Sequence, residues 1–260
     1  SFPTRRSSDL IRAVWLVSNL KIGQTGYPLC FLDTQYLVNP SIAFFPSHRF
    51  YHGKLKSAVD SLQTPIVEGF LWPNPEIGIA MIHVDSPEEV SNHSLQILGK
   101  FADFREAELI VQILVKLLSR NQVDLGDIAI LTPFRSQQRL IRKAISLACK
   151  VSPFNLALSS NFGLPNAQID PALFVHSRLC IELIDEEKPI DKDFIILSTV
   201  RSTRRGGLGE LQDGRLLNSF LLKARRGAVL VGNLSTLARV PAFRDFIIWA
   251  QSNSILLKYS

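Results

Sequence analysis

The chain has 260 residues, 46% of them hydrophobic, which is enough to bury the core of one generous domain. Its 29 basic residues against 23 acidic ones leave a formal charge of +6, a balance that favours an anionic partner without requiring one. The three scattered cysteines, Cys30, Cys149 and Cys180, have no paired spacing and argue against a disulfide framework or a zinc site. No apolar run reaches the roughly 18 residues of a membrane span and no signal-peptide core opens the chain, so an intracellular protein, cytoplasmic or nuclear, with no membrane partner is expected.

The first ten residues, SFPTRRSSDL, join a Ser/Arg-rich start directly to a folded-domain pattern. They resemble the translation of a sequencing-library adapter, the alternative being a natural basic tail, and residues 1–10 are set aside from fold reasoning. On the adapter reading the natural protein extends upstream of Ile11, and an N-terminal domain is missing. From there apolar runs of strand length occur at 28–33 (PLCFLD), 79–84 (IAMIHV), 127–131 (DIAIL), 173–184 (LFVHSRLCIELI), 193–200 (DFIILSTV) and 228–233 (AVLVGN). Between them, 105–120 places Leu109, Ile113, Leu114 and Leu117 on one helical face. Residues 136–150 do the same with Leu140, Ile141, Ala144, Ile145 and Ala148. A further helix is predicted to carry Arg215, Lys223, Arg225 and Arg226. Continuous apolar strands alternating with amphipathic helices predict an α/β fold with a mainly parallel sheet covered on both faces. Ligands of such sheets meet the carboxyl ends of the strands, where Thr132-Pro133-Phe134, Arg201-Ser202 and Gly232-Asn233 fall. The stretches 61–78 and 150–172, rich in Pro, Asn and Ser, read as long surface excursions.

Four strand-plus-polar-tip segments follow one another in a fixed order: QYLVNP at 35–40, ILTPFRSQQ at 130–138, DFIILSTVRS at 193–202 and GRLLNSFLLKARRGAVLVGN at 214–233. Gln35 to Pro40 are followed by Phe45-Pro46-Ser47, Phe50-Tyr51, Gly53 and Leu55, and a T-P-F-x-x-Q run occupies Thr132 to Gln137. From about Trp15 to Ala250 this pattern resembles the second RecA-like motor domain of up-frameshift-like superfamily 1 helicases, the group that includes the nonsense-mediated-decay helicase. The family's Q-Y-R-M-H-P, T-P-Y-x-x-Q, V-D-S-F-Q-G-R-E-K-D-F-I-I-L-S and R-R-L-N-V-A-L-T-R-A-R boxes each have a counterpart here. The resemblance implies a RecA-like (P-loop NTPase-type) fold over residues 11–260, and ATP-driven translocation on single-stranded RNA or DNA in the full-length parent.

By the same resemblance, Gln35, Tyr36 and Asp191 contact nucleotide, Tyr36 stacking on adenine. Lys223 stands at the arginine-finger position, with Arg225 matching the second arginine of that box and Asn218 its asparagine. Thr132, Pro133, Phe134 and Asp185 lie toward nucleic acid. ATP and Mg2+ are the family's cofactors, and the missing N-terminal RecA-like domain is the implied partner. Several positions depart from the pattern. Leu37 replaces a phosphate-reaching arginine; Lys223 keeps the charge but not the planar fork. Lys188-Pro189-Ile190 replaces Gln-Gly-Arg, and proline fixes φ and removes an N–H donor. No G-x-x-x-x-G-K-[ST] loop occurs, so ATP hydrolysis from these residues alone, and ATP or Mg2+ held by them alone, is not expected. Plainer readings stand beside these: Phe134 as a core or rim aromatic, Thr132-Pro133 as a strand terminator, and Tyr36 as a packed tyrosine. The cluster Arg201, Arg204 and Arg205 reads equally as a phosphate-neutralising group or as a solvated loop. The rival function is a noncatalytic helicase-derived module that binds nucleic acid or protein.

Overall fold

A computed structural model describes residues 31–85, 102–120, 123–151, 154, 170–184, 190–202 and 207–259. In chain order these form β1 (Thr34–Gln35), α1 (Pro40–Tyr51), β2 (Lys56–Ser57), β3 (Ile79–Val84), α2 (Phe104–Ser119), β4 (Ile128–Thr132) and α3 (Arg135–Ala148). There follow α4 (Pro171–Arg178), β5 (Cys180–Leu183), β6 (Lys192–Ser198), α5 (Arg215–Leu221), β7 (Ala224–Gly232), α6 (Leu234–Leu237), α7 (Pro241–Ser252) and β8 (Leu256–Tyr259). Two short 3-10 turns, Leu125–Asp127 and Gly209–Gln212, precede β4 and α5.

Six strands make one sheet in the order β5-β4-β6-β7-β3-β8, and every pairing in it is parallel. Because side chains alternate across a strand, each central strand feeds both faces. Phe194 and Ile196 of β6 and Val229 and Val231 of β7 enter the layer under α2, α3 and α4. Ile195, Leu197, Ala228 and Leu230 enter the layer under α1, α5 and α7. Burial on both faces explains the unbroken apolar runs, and the expected doubly covered α/β sheet is the architecture found. The helical faces read from the sequence are buried as well: Leu109, Ile113, Leu114 and Leu117 on α2, and Leu140, Ile141 and Ile145 on α3.

Three predicted elements differ. Of the expected 28–33 strand, 31–33 have no regular structure, and the short strand begins one residue later at Thr34; 28–30 lie outside the described residues. The run 173–184 is not one strand but helix α4 followed by β5. Pro171 at the first helical turn and the Asp170 cap, whose carboxylate accepts from the Ala172 amide at 2.9 Å, start a helix that apolar content alone does not reveal. The predicted basic helix ends at Leu221, so Arg225 and Arg226 stand on β7. Parallel pairing of Lys192 with Ala224 and of Phe194 with Gly227 captures those residues into the sheet, overriding a helix-permissive sequence. Of the two excursions, 61–78 has neither helix nor strand, yet it is anchored: Val67 is buried and the Trp72 indole donates to its carbonyl at 2.7 Å.

At the carboxyl end of β7 the chain passes so close to the segment leaving β6 that a Cβ on Gly232 would lie 1.8 Å from Thr199 Oγ1. Thr199 cannot swing away freely, since its amide and hydroxyl both donate to the Val231 carbonyl at 3.1 Å. Gly232→Ala is therefore expected to destabilise the domain by about 2 kcal/mol or more, the scale of overpacking a tight core. A urea midpoint unchanged from the parent chain would contradict this close approach.

Candidate functional site

Three of the four helicase-like segments meet at the amino ends of β6 and β7. The turn after β1 is braced by Gln35, whose side-chain amide donates to the Val38 carbonyl and to Ser57 Oγ at 2.7 Å each and accepts from the Leu37 and Val38 amides at 3.0 and 2.8 Å. All polar atoms of that side chain are engaged in shaping the turn. The turn displays Tyr36, 67% exposed, and Leu37, 46% exposed. Tyr36 is thus not the packed tyrosine that a neighbouring buried strand allowed.

Asn39 then fastens this segment to the sheet. Its backbone amide donates to the Arg225 carbonyl at 2.8 Å, its side-chain oxygen caps α1 by accepting from Ser41 N at 2.8 Å, and its side-chain NH2 donates to the Thr64 carbonyl at 2.6 Å. On the neighbouring strand the Lys192 amide donates to the Lys223 carbonyl at 3.2 Å. This places Asp191 beside Lys223. Burial pulls the Lys223 ammonium below the ordinary lysine value, while the Asp191 charge, and then Cys180, act in the opposite direction.

Asp193 organises the next two cations. Arg226 makes the closer pair, 3.0 Å, and also donates from Nε to the Pro65 carbonyl at 2.7 Å; Arg225 stands 4.0 Å from the same carboxylate. Arg225 Nε is buried and has no hydrogen-bond partner among the described residues. Asn218 donates to the Tyr51 hydroxyl at 3.0 Å and so ties α5 to α1 behind this edge. Tyr36, Asp191, Lys223 and Arg225 are therefore on the amino side of the sheet, against the general expectation that ligand-contacting residues collect at the carboxyl ends. The reason lies in the local folding: β6 and β7 begin at Lys192 and Ala224, immediately after Asp191 and Lys223.

The fourth segment lies at the opposite, carboxyl side. Thr132 is fully buried and its hydroxyl accepts from the Phe134 amide at 3.3 Å; Pro133 is buried too. Both residues sit beneath the surface and do not display themselves at a tip. Phe134 is half-buried at the start of α3, packed against the second core layer beside Gly209. Asp185 lies outside the described residues, as do Arg204 and Arg205. Arg201, grouped with those arginines as a solvated or phosphate-binding loop, is only 5% exposed, so it belongs to the interior.

Behind this side runs a buried polar network that the sequence reading missed. Gln137 accepts from the Asp103 amide at 2.8 Å and donates to the Asp103 carbonyl at 3.1 Å and to Ser198 Oγ at 3.0 Å. Ser198 donates to Glu106 at 2.5 Å, and the Val200 amide donates to both Glu106 carboxylate oxygens at 3.0 and 3.1 Å. Val200 has φ +64°, a left-handed conformation costly for a β-branched residue, and the Glu106 carboxylate is what holds it there. The signal was present as Asp103-x-x-Glu106, the spacing of a capping box. Half of that motif forms, with Asp103 accepting from the Glu106 amide at 3.0 Å, but Glu106 turns inward to Val200 because Gln137 already occupies the Asp103 amide.

The AAA domain family matches residues 18–235 of this chain. "Regulator of nonsense transcripts 1" of Dictyostelium discoideum is 28% identical over 229 residues, covering 88% of this chain and 15% of that protein. "ATP-dependent helicase NAM7" of Saccharomyces cerevisiae is 28% identical over 228 residues, covering 87% and 21%. "Putative ATP-dependent RNA helicase ECM32" of the same yeast is 26% identical over 241 residues, covering 86% and 21%. A doubly covered parallel sheet with helicase-like segments in this order is a RecA-like α/β domain. The chain belongs to the AAA domain family and is similar over most of its length to up-frameshift-type helicases. It spans about a fifth or less of the length of these three relatives.

Burial, and then the negative charge of Asp103, push the Glu106 carboxyl well above its ordinary value of 4.5. A native carboxyl with a raised value retains its proton where the unfolded chain has lost it. Its contribution to stability is accordingly intact below about pH 4.5, declines as pH climbs toward the raised native value, and is flat beyond it. Glu106→Gln removes this titration, so its stability relative to the parent chain is expected to rise with pH across that interval. Urea titrations of both proteins that differ by a constant amount from acid to neutral pH would show that Glu106 does not titrate there.

Proposed function

We propose that residues 11–260 form the second, C-terminal, RecA-like motor domain of a parent superfamily 1 helicase that moves on single-stranded RNA or DNA at the expense of ATP. The observation that carries this reading is the pair of main-chain bonds, Asn39 to Arg225 and Lys192 to Lys223, that draws three separated segments to the amino end of the central strands. That end has the makings of one wall of a nucleotide cleft. Tyr36 offers an exposed ring for a base, Gln35 fixes the turn that presents it, and Asp191, Lys223 and Arg225 supply the charged groups alongside.

ATP with Mg2+ would supply the phosphoryl group. This chain's own residues would hold the base and place cations near the transferred charge, and the N-terminal RecA-like partner would provide the opposite wall. Leu37 leaves one cation out, and Lys223 meets phosphate as a point charge without the bidentate fork. An arginine finger is worth on the order of a thousandfold in rate, so these two positions weaken the wall even with its partner present. The relatives' printed names, two of them "ATP-dependent", favour the motor over a purely noncatalytic module. Action inside the cell, in cytoplasm or nucleus, fits the same reading; among the described residues no helix is long and apolar enough to cross a membrane.

For the 260-residue chain itself we expect no ATP turnover with or without added RNA, and RNA-stimulated phosphate release would overturn that expectation. We also expect weak, sequence-independent binding of single strands that weakens as salt rises, because neutralised phosphates release counterions. If Phe134 stacks on a base, Phe134→Ala should weaken binding about tenfold, or ~1.4 kcal/mol, without changing the salt dependence. Fluorescence anisotropy of a labelled homopolymer across a salt series reads both quantities, and affinity indifferent to salt would count against phosphate contact.

A further inference from the structure

From Leu32 to Ser41 the chain sorts its side chains by chemistry, and every polar one except the Tyr36 hydroxyl bonds to the protein itself. Asp33 accepts from Thr34 Oγ1 at 2.8 Å and pairs with Lys56 at 3.2 Å. Asn39 Oδ1 accepts from the Ser41 amide and hydroxyl at 2.8 and 2.7 Å, and Ser41 Oγ accepts from the Gly78 amide at 3.1 Å. Gln35 is the fullest case. Its two donor hydrogens go to the Val38 carbonyl and Ser57 Oγ and its oxygen takes the Leu37 and Val38 amides, which is the whole capacity of a carboxamide. The side chains left exposed in this stretch are Leu32, Tyr36 and Leu37.

This division decides what the turn can read. A base lying on the Tyr36 ring offers two things, a π-face that all bases share and an edge of donors and acceptors that tells them apart. The exposed residues answer to the face. A carboxamide able to answer to the edge stands next in sequence, but turning Gln35 outward would strip the Val38 carbonyl and the Leu37 and Val38 amides of these partners. Sites that hydrogen-bond a substrate's polar edge reject a wrong one by about ten-thousandfold, because their own groups are then left unpaired. A ring face has no such group to leave.

We propose that the turn over Gln35 to Leu37 is a base-indifferent platform: Tyr36 receives any nucleotide by its ring, and Gln35 is a positioning residue that holds the ring without reading the base. The ligand class at this wall is therefore nucleotides in general, with adenine given no advantage over guanine. Purines exceed pyrimidines only as far as the larger ring covers more of the tyrosine. Ser57 belongs to the same device. It stands on β2, paired in register with Gln35, and accepts one of the two carboxamide hydrogens.

This inference rests on the cleft-wall reading above, and the test separates the two. AMP, GMP, CMP and UMP are each titrated at constant ionic strength into the 260-residue chain carrying isotope-labelled tyrosine. The Tyr36 ring signal, identified by its loss in Tyr36→Ala, is followed by NMR. A lone wall holds a mononucleotide at millimolar affinity, so the readout is a shift and not retention, and the phosphate common to all four cancels from their ratios. AMP and GMP should bind within about threefold of each other, and the pyrimidines within about tenfold of the purines. Gln35→Ala should weaken all four by one factor and leave the ratios unchanged. A preference for AMP over GMP beyond about tenfold, or a loss confined to AMP in Gln35→Ala, overturns base indifference while leaving the platform in place. A Tyr36 signal that none of the four moves overturns both. Should Gln35→Ala melt early, Ser57→Ala decides. It should weaken all four alike at the parent melting temperature, with Ser57→Thr restoring them, and ratios altered by Ser57→Ala would overturn the inference.

Discussion

The parallel pairing of β6 with β7 is the constraint from which both sides of the domain follow. Its register sets Lys192 against Ala224 at one end and Ser198 against Val231 at the other. At the amino end it brings Asp191 beside Lys223. At the carboxyl end it delivers Thr199 to Val231 and leaves no room for a side chain on Gly232. A parallel pair of strands cannot be joined by a tight turn, so the intervening chain must cross over the sheet. That crossover carries α5 and packs Leu217, Phe220 and Leu221 into the second core layer. A slip of one residue would exchange the two layers, sending Phe194 and Val229 to the wrong face, and the depth of both cores opposes it.

The two ends of the sheet that carry the helicase-like segments are separated by the length of the strands and are joined by buried side chains. On the amino side the groups remain accessible: an exposed tyrosine, a half-buried lysine, and arginines paired with Asp193 at the rim. On the carboxyl side the polar groups are interior, with Gln137, Asp103, Ser198 and Glu106 satisfying one another around the strained Val200. A fully satisfied buried network of this sort specifies one arrangement, because an unpaired member would carry its whole desolvation cost. The first turn of α3 supplies Gln137 to this network and Arg135 to solvent from the same few residues.

Departures from the helicase pattern acquire different weights once placed in space. Leu37 stands exposed on a turn whose shape is set by Gln35 and whose attachment is set by Asn39, so the turn persists although the cation is gone. Lys223 is half-buried beside Asp191, where its charge is opposed by burial and supported by one carboxylate. The scaffold of this end of the sheet is intact, and the departures from the helicase pattern are confined to side-chain chemistry. Scaffold contacts are made by main-chain groups and short polar side chains, which the sequence retains.

Sequence alone determined the fold class, the two buried helical faces and most of the parallel strands, because burial on both sheet faces writes itself as apolar runs and helix packing as a 3.6-residue period. It also carried the four ordered segments by which the family is recognised. It did not determine which side of the sheet each segment occupies. Asp191 and Lys223 are adjacent only because their strands start side by side, and that is a property of register, not of local pattern. Nor could it show that α4 precedes β5, that Arg225 and Arg226 lie on a strand, or that Glu106 turns inward. In two of these a tertiary contact overrode a local preference: a sheet that captured the end of a helix-like segment, and a glutamine that took the amide a capping box would have used; α4 instead starts on a local signal, the Asp170 cap and Pro171, that the apolar run obscures. Local propensities differ by less than about 1 kcal/mol per residue, and a buried pairing or a satisfied buried carboxyl outweighs them.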